Sequence, residues 1–114
     1  MLSLTSENFR EEVLDSTTTC IVTFKSNGCH LCRGLDKVLF KLRRRYAKHF
    51  KFGYVDMDTE RRLAKIFSVD GVPTIFWFRN GDGEEVTYPG NPNPFSGYSE
   101  EYLVKYFGTL LSHE

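Results

Sequence analysis

Residues 20–32 read Cys-Ile-Val-Thr-Phe-Lys-Ser-Asn-Gly-Cys-His-Leu-Cys, and this stretch decides the fold. Thr17, Thr18 and Thr19 run into Cys20, Ile21, Val22, Thr23 and Phe24. A β-branched apolar run of this kind fits a strand buried on both faces of a sheet. Lys25–Gly28 is a loop, and Cys29-His30-Leu31-Cys32 follows it. Beyond the cysteines, Leu35, Val38, Leu39, Leu42, Tyr46 and Phe50 recur at helical spacing, which predicts a helix to about His49. A buried strand therefore turns into a long amphipathic helix, and two cysteines sit at the turn.

Upstream, Leu2 and Leu4 alternate with Ser3 as a short opening strand. Thr5 or Ser6 offers an N-cap oxygen for a first helix over about Ser6–Asp15, with Phe9, Val13 and Leu14 on one face. Downstream, Phe52, Tyr54 and Val55 form a strand ending at Asp56-Met57-Asp58. Thr59 or Asp58 can cap a helix carrying Leu63, Ala64, Ile66 and Phe67, which Val69-Asp70-Gly71-Val72-Pro73 breaks. Thr74–Phe78 reads as a central strand, and Asn80-Gly81-Asp82-Gly83 as a hairpin turn. Val86 and Tyr88 belong to the returning strand, and a proline-rich loop follows at Pro89–Tyr98. Ser99 opens the last helix, with Tyr102, Leu103, Tyr106, Phe107, Leu110 and Leu111 as its apolar face. The order β-α-β-α-β-α-β-β-α calls for parallel strands joined by crossover helices, with an antiparallel edge from the hairpin. This is an α/β sandwich in three layers, with 1–114 as a single domain.

Positions i and i+3 share a helix face, with Cβ atoms roughly 5–6 Å apart, so Cys29 and Cys32 are within reach of a disulfide. At the helix start, free N–H groups and the dipole favour the Cys29 thiolate. Cys32, one turn in, is the more buried thiol and holds its proton longer. That asymmetry suits thiol–disulfide exchange, with Cys29 attacking a substrate disulfide and Cys32 resolving the mixed disulfide. The competing readings are a structural pair, half of a zinc site, or a cluster shared between chains. Zinc needs four ligands, and only Cys20, His30, His49 and His113 remain to complete a set, none at a paired-ligand spacing.

Gly71-Val72-Pro73-Thr74 lies about forty residues past the cysteines, just before a strand. A proline there suggests a special backbone. Taken together, the cysteine pair at the strand-to-helix turn, the Val55-Asp56-Met57-Asp58 strand end, Gly-Val-Pro-Thr and the Asn-Gly hairpin resemble the thioredoxin family over nearly the whole chain. The resemblance implies a thioredoxin-like three-layer α/β/α sandwich with a central mixed sheet of four or five strands. It implies a thiol–disulfide oxidoreductase with catalytic Cys29 and Cys32 and no bound cofactor. Pro73 would be a cis-proline facing the cysteines, the Val72 backbone would pair with an extended substrate segment, and Gly28 and Gly90 would line the same groove. Protein disulfides would be the substrates, and a reductase or glutathione the electron donor. The rival reading is a thioredoxin-fold binding or adaptor module with weak redox activity.

Several positions depart from the family pattern. Gly28 replaces a Trp, His30-Leu31 replaces Gly-Pro, Thr23 replaces a buried Asp, Tyr54 a Lys, and Lys37 a helix-kinking Pro. A threonine hydroxyl is no base near neutral pH, so resolution by Cys32 is expected to be slower or assisted by water or His30. His30 and Leu31 are candidate redox-tuning residues, since an imidazolium beside Cys29 stabilises the thiolate and makes the pair more oxidising. Cys20 reads as an inert core thiol. Asp36, one turn after Cys32, reads as an exposed helix acid within range of that thiol. Trp77 reads as sheet packing.

Composition narrows the rest. Lys plus Arg and Asp plus Glu are both 15, and zero net charge argues against nucleic acid or anionic membrane as a partner. The basic run Lys41, Arg43, Arg44, Arg45, Lys48 and Lys51 reads as a solvated face on the cysteine helix, with an acidic-partner or nucleic-acid site as the alternative. Three cysteines do not make a secreted disulfide scaffold. Met1–Asp15 carries acids where a signal peptide is apolar, and no apolar run approaches a membrane span. The expectation is a cytoplasmic monomer.

Overall fold

A computed structural model describes residues 1–87 and 98–112. Five strands form one mixed sheet: β1 (Leu2–Leu4), β2 (Thr19–Lys25), β3 (Phe50–Asp56), β4 (Thr74–Arg79) and β5 (Asp82–Glu85). Their spatial order is β1-β3-β2-β4-β5. β1 and β2 both run parallel to β3, whereas β4 is antiparallel to β2 and to β5. Three α-helices, α1 (His30–Arg45), α2 (Arg61–Ile66) and α3 (Glu100–Ser112), and a π-helical turn at Arg10–Leu14 complete the fold.

Period-2 alternation along the strands builds a core on each sheet face. Ile21, Phe52 and Ile75 face Leu35, Leu39 and Leu42 of α1 and Leu103, Phe107 and Leu110 of α3. Cys20, Val22, Phe24, Val55, Phe76 and Phe78 face Phe9, Val13, Leu63 and Ala64. The result is the three-layer arrangement, with five strands in the middle layer.

The structure differs from the sequence expectations at several element ends. Instead of a regular helix over Ser6–Asp15, only Arg10–Leu14 is helical, and Asp15 N–H donates to Arg10 O at 2.8 Å. Thr5 caps the segment as expected, its Oγ1 accepting from Glu7 N–H at 3.2 Å while Thr5 N–H donates to Asn8 Oδ1 at 2.8 Å. These reciprocal bonds form a capping box, and Phe9 N–H donates to Thr5 O at 2.9 Å; the segment departs from a regular helix farther on, where bonds reach five residues back. α1 stops at Arg45, because Tyr46 leaves helical geometry and packs its ring on Phe50 and Phe107. Lys51 therefore belongs to β3, not to the helix, and pairs with Glu12 at 2.6 Å.

Neither Thr59 nor Asp58 caps α2. Glu60 is the N-cap residue and makes no side-chain cap bond. Asp58 is spent elsewhere, its Oδ2 accepting from Asn27 N–H at 3.2 Å. Ile66 lies on the outer side of α2 and is 64 % exposed. In the hairpin only Asn80 (φ 53°) and Gly81 (φ 85°) form the turn, while Asp82 and Gly83 already pair in β5. Val86 lies just past β5, its N–H donating to Ile75 O at 2.7 Å, and Tyr88 lies outside the described residues. Two successive left-handed residues match the twist of the hairpin. Gly81→Ala puts a Cβ on one of them and is expected to cost about 1–2 kcal/mol of stability, read by urea denaturation. An unchanged midpoint would show that the turn relaxes without strain. Ser99 caps α3 as expected, its Oγ accepting from Tyr102 N–H at 3.1 Å.

Candidate active site

β2 delivers the chain to the site. Ser26, Asn27 and Gly28 turn it, Cys29 N–H donating to Ser26 O at 3.4 Å. Cys29 is then the N-cap of α1, with extended backbone (φ −95°, ψ 110°). Its Sγ takes the place of the usual capping oxygen and accepts from Cys32 N–H at 3.1 Å. Cys29 and Cys32 form a disulfide with Cα atoms 5.2 Å apart. Cys29 is half-buried, whereas Cys32 is only 2 % exposed. The N-terminal cysteine is the more exposed of the two and its sulfur accepts a helix N–H; the second is buried.

His30 is exposed on the first turn of α1, and Leu31 is half-buried. Gly28 is exposed, and a Cβ there would meet nothing within 4 Å. The Val72–Pro73 peptide bond is cis. Pro73 is buried, Val72 is half-buried, and the two lead into Thr74, which pairs with Phe24 of β2. Phe24 lies five residues before Cys29, so Val72, Pro73 and the cysteine pair share one end of the sheet. A recess of about 270 Å³ lies there, with Val69, Gly71, Val72, Pro73, Thr74 and Glu85 among its lining residues. Gly90 and most of the Pro89–Tyr98 loop lie outside the described residues.

Thr23 is 1 % exposed, and its Oγ1 has no hydrogen-bond partner. Sequence reasoning missed what surrounds it. Asp36 is not a free helix acid: its Oδ2 lies 3.0 Å from Lys25 Nζ at the end of β2. Lys25 Nζ in turn sits 4.4 Å from the centroid of the Tyr54 ring, a cation–π contact. The signal available in the sequence was the four-residue step from Cys32 to Asp36. Nothing local connects Asp36 to Lys25.

Of the candidate metal ligands, His113 lies outside the described residues, and the others stand apart. Cys20 is buried on β2, His30 is exposed at the start of α1, and His49 is exposed beyond its far end. Among the described residues no group of three His, Cys, Asp or Glu side chains is assembled for an ion. Burial pushes the Cys20 thiol up, and its Sγ lies against the Thr18 and Glu12 carbonyls at 3.4 and 3.6 Å. A buried protonated thiol is a poor nucleophile. Trp77 packs on the sheet and donates from Nε1 to Tyr106 OH at 3.1 Å.

The thioredoxin family model matches residues 1–96. The chain belongs to the thioredoxin family. That is a family of thiol–disulfide oxidoreductases. The thioredoxin of Acetoanaerobium sticklandii is 33 % identical over 81 residues, covering 71 % of this chain and 77 % of that protein. The thioredoxin of Buchnera aphidicola from Acyrthosiphon pisum is 27 % identical over 82 residues, covering 72 % of this chain and 76 % of that protein. Similarity extends to the protein disulfide-isomerase tigA of Aspergillus niger, 32 % identical over 93 residues, or 79 % of this chain but 26 % of that longer protein. The match to whole thioredoxins spans most of both chains, whereas the isomerase is matched over about a quarter of its length. Within the family, the motif between the cysteines is here His30-Leu31. No helix among the described residues is long and apolar enough to cross a membrane.

Proposed function

We propose that the protein exchanges its Cys29–Cys32 dithiol/disulfide with disulfides of protein substrates. The Cys29 thiolate attacks one substrate sulfur, forming a mixed disulfide and expelling the other sulfur as a thiolate, which takes a proton from solvent. Cys32, as thiolate, then attacks Cys29 Sγ. The mixed disulfide breaks, the second substrate sulfur leaves with the electron pair and is protonated, and the protein holds the disulfide. Two electrons and two protons have passed to the substrate. A reductase or glutathione returns the pair to the dithiol.

One observation carries this reading: the Cys32 N–H bond to Cys29 Sγ at the start of a 16-residue helix. A thiolate there receives a directed donor and the positive end of the dipole. The exposure difference between the two sulfurs supports their division into attacking and resolving thiols. Val72 and Pro73, at the same end of the sheet, are the segment that would hold an extended substrate backbone. Gly28 leaves space for its approach. A reducing compartment such as the cytoplasm fits the free thiol of Cys20. The adaptor reading is favoured by Thr23, which supplies no acid beneath the pair.

The test is the midpoint potential of the pair, by equilibration in dithiothreitol and glutathione buffers with alkylation of free thiols. A reversible two-electron couple is expected, at or above about −270 mV. Absence of any intramolecular disulfide over that range would overturn the proposal. His30→Ala is expected to lower the potential, since it removes a side chain whose cationic form favours the thiolate and so the reduced form. His30 is exposed, so the drop should not exceed about 30 mV. An unchanged value removes His30 from the tuning of the pair.

A further inference from the structure

We propose that Asp36 is the proton acceptor for Cys32 in the resolving step, held in place by Lys25. The inference rests on the oxidoreductase reading above and adds to it the group that activates the second thiol.

Cys32 is buried and must lose its proton before it can attack. Burial away from water disfavours the thiolate, so a base nearby is needed. Thr23, buried on the same side of the sheet, is no base at neutral pH. Asp36 is four residues beyond Cys32 on α1, and side chains at that spacing are neighbours on one face. Helical side chains also lean toward the N-terminus of their helix, which carries the Asp36 carboxylate over the turn that holds Cys32.

The carboxylate's two oxygens are used differently. Oδ2 is taken by Lys25 Nζ at 3.0 Å. Oδ1 is shut off from solvent and accepts no hydrogen bond. A desolvated carboxylate oxygen with an open acceptor position is costly to keep unless a donor visits it. In the disulfide form seen here Cys32 carries no proton to donate. In the dithiol form it does, and its S–H is a donor on the same helix face as Oδ1.

The alternation of β2 and β3 explains why the carboxylate is fixed there. Ile21 and Phe52 face α1, so Thr23, Lys25 and Tyr54, each an even number of residues along, face it too. The Tyr54 ring supports the Lys25 ammonium from β3, and the ammonium fixes Oδ2. The charged and titratable groups that bear on the site are therefore Lys25 from β2, Tyr54 and Asp56 from β3, Cys29 at the N-cap of α1 and Cys32 on α1. Asp56 lines the same recess as Lys25 and Tyr54.

The step balances as follows. Asp36 takes the proton from Cys32 Sγ, and the thiolate displaces the substrate sulfur from Cys29 Sγ. The substrate leaves as a thiolate and takes the proton from the carboxylic acid, directly or relayed through water. Asp36 ends as a carboxylate.

The experiment is stopped-flow reaction of the reduced protein with a nitrobenzoate disulfide whose released thiolate is coloured. The first release reports attack by Cys29, and the second reports resolution by Cys32. In Asp36→Asn the first phase is expected to be within about twofold of wild type, and the second about 100-fold slower at neutral pH. The second phase should then rise with pH, as hydroxide takes over, and approach wild type in alkali. Asp36→Glu, which keeps a carboxylate, should keep the wild-type shape of the pH profile. A purely structural role for the ion pair would change stability without that pH signature. If wild type shows both phases and Asp36→Asn follows the wild-type pH profile, this proposal is overturned and the oxidoreductase reading stands. If wild type shows no second phase, the oxidoreductase reading itself falls.

Discussion

Cys29→Ser is expected to lower turnover of a protein disulfide by about a thousandfold or more, to the level of uncatalysed exchange. A serine hydroxyl at the N-cap still accepts a hydrogen bond, so α1 keeps its start and the fold is preserved. What is lost is a sulfur that is a thiolate at working pH. The companion Cys32→Ser behaves differently, because Cys29 still attacks. It accumulates the mixed disulfide with substrate, seen by mass spectrometry after acid quench. Equal loss in both variants without any trapped adduct would deny the division of labour between the two sulfurs. If Cys29→Ser still supports function in a cell that depends on the protein, the adaptor reading replaces the enzymatic one.

Phe107→Ala is expected to cost about 3–5 kcal/mol, the largest single stability effect predicted here. Phe107 is fully buried where α3 meets α1 and β3. Its ring lies 5.4 Å from those of Tyr46 and Phe50 and 6.0 Å from that of Phe52, all edge-on. Truncation removes the apolar contact and three edge-to-face partners, and leaves a cavity whose rigid walls come from a strand and two helices. The loss is a large share of the 5–15 kcal/mol typical of a domain. Chemical denaturation with a fixed slope measures it. A loss below about 1.5 kcal/mol would mean that α3 collapses inward to fill the space. Because α1 carries the cysteines on one end and packs on Phe107 farther along, the disulfide couple should survive in the folded fraction.

The two strongest features of the fold were legible because they depend on local pattern. Residues 19–25 are apolar or β-branched at nearly every position, and they form the strand with partners on both sides. Asn80-Gly81 is a turn whatever surrounds it, since both residues tolerate positive φ. The N-terminal segment was less legible. Phe9 and Val13 have helical spacing and are buried, and Thr5 and Asn8 cap the segment, yet its bonds lengthen to five residues and it closes as a single π-helical turn. Ile66 followed the helical stripe of its neighbours but ended exposed, because α2 is too short to hold a full apolar face against the sheet.

At the site, the sequence by itself placed Cys29 and Cys32 at a helix start, three residues apart, and Val72-Pro73 before a strand. Those are statements about neighbours along the chain, and spacing decides them. Only the tertiary structure decided which strand Thr74 would join, and so that Pro73 and Cys29 lie at one end of the sheet. It alone also turned Asp36 from a helix acid into the partner of Lys25, eleven residues away, with Tyr54 beneath. The pairing arises because sheet alternation points Lys25 and Tyr54 toward α1, while the helix repeat brings Asp36 round to meet them. Each period is written in the sequence, but where the two meet is set by how helix and sheet pack.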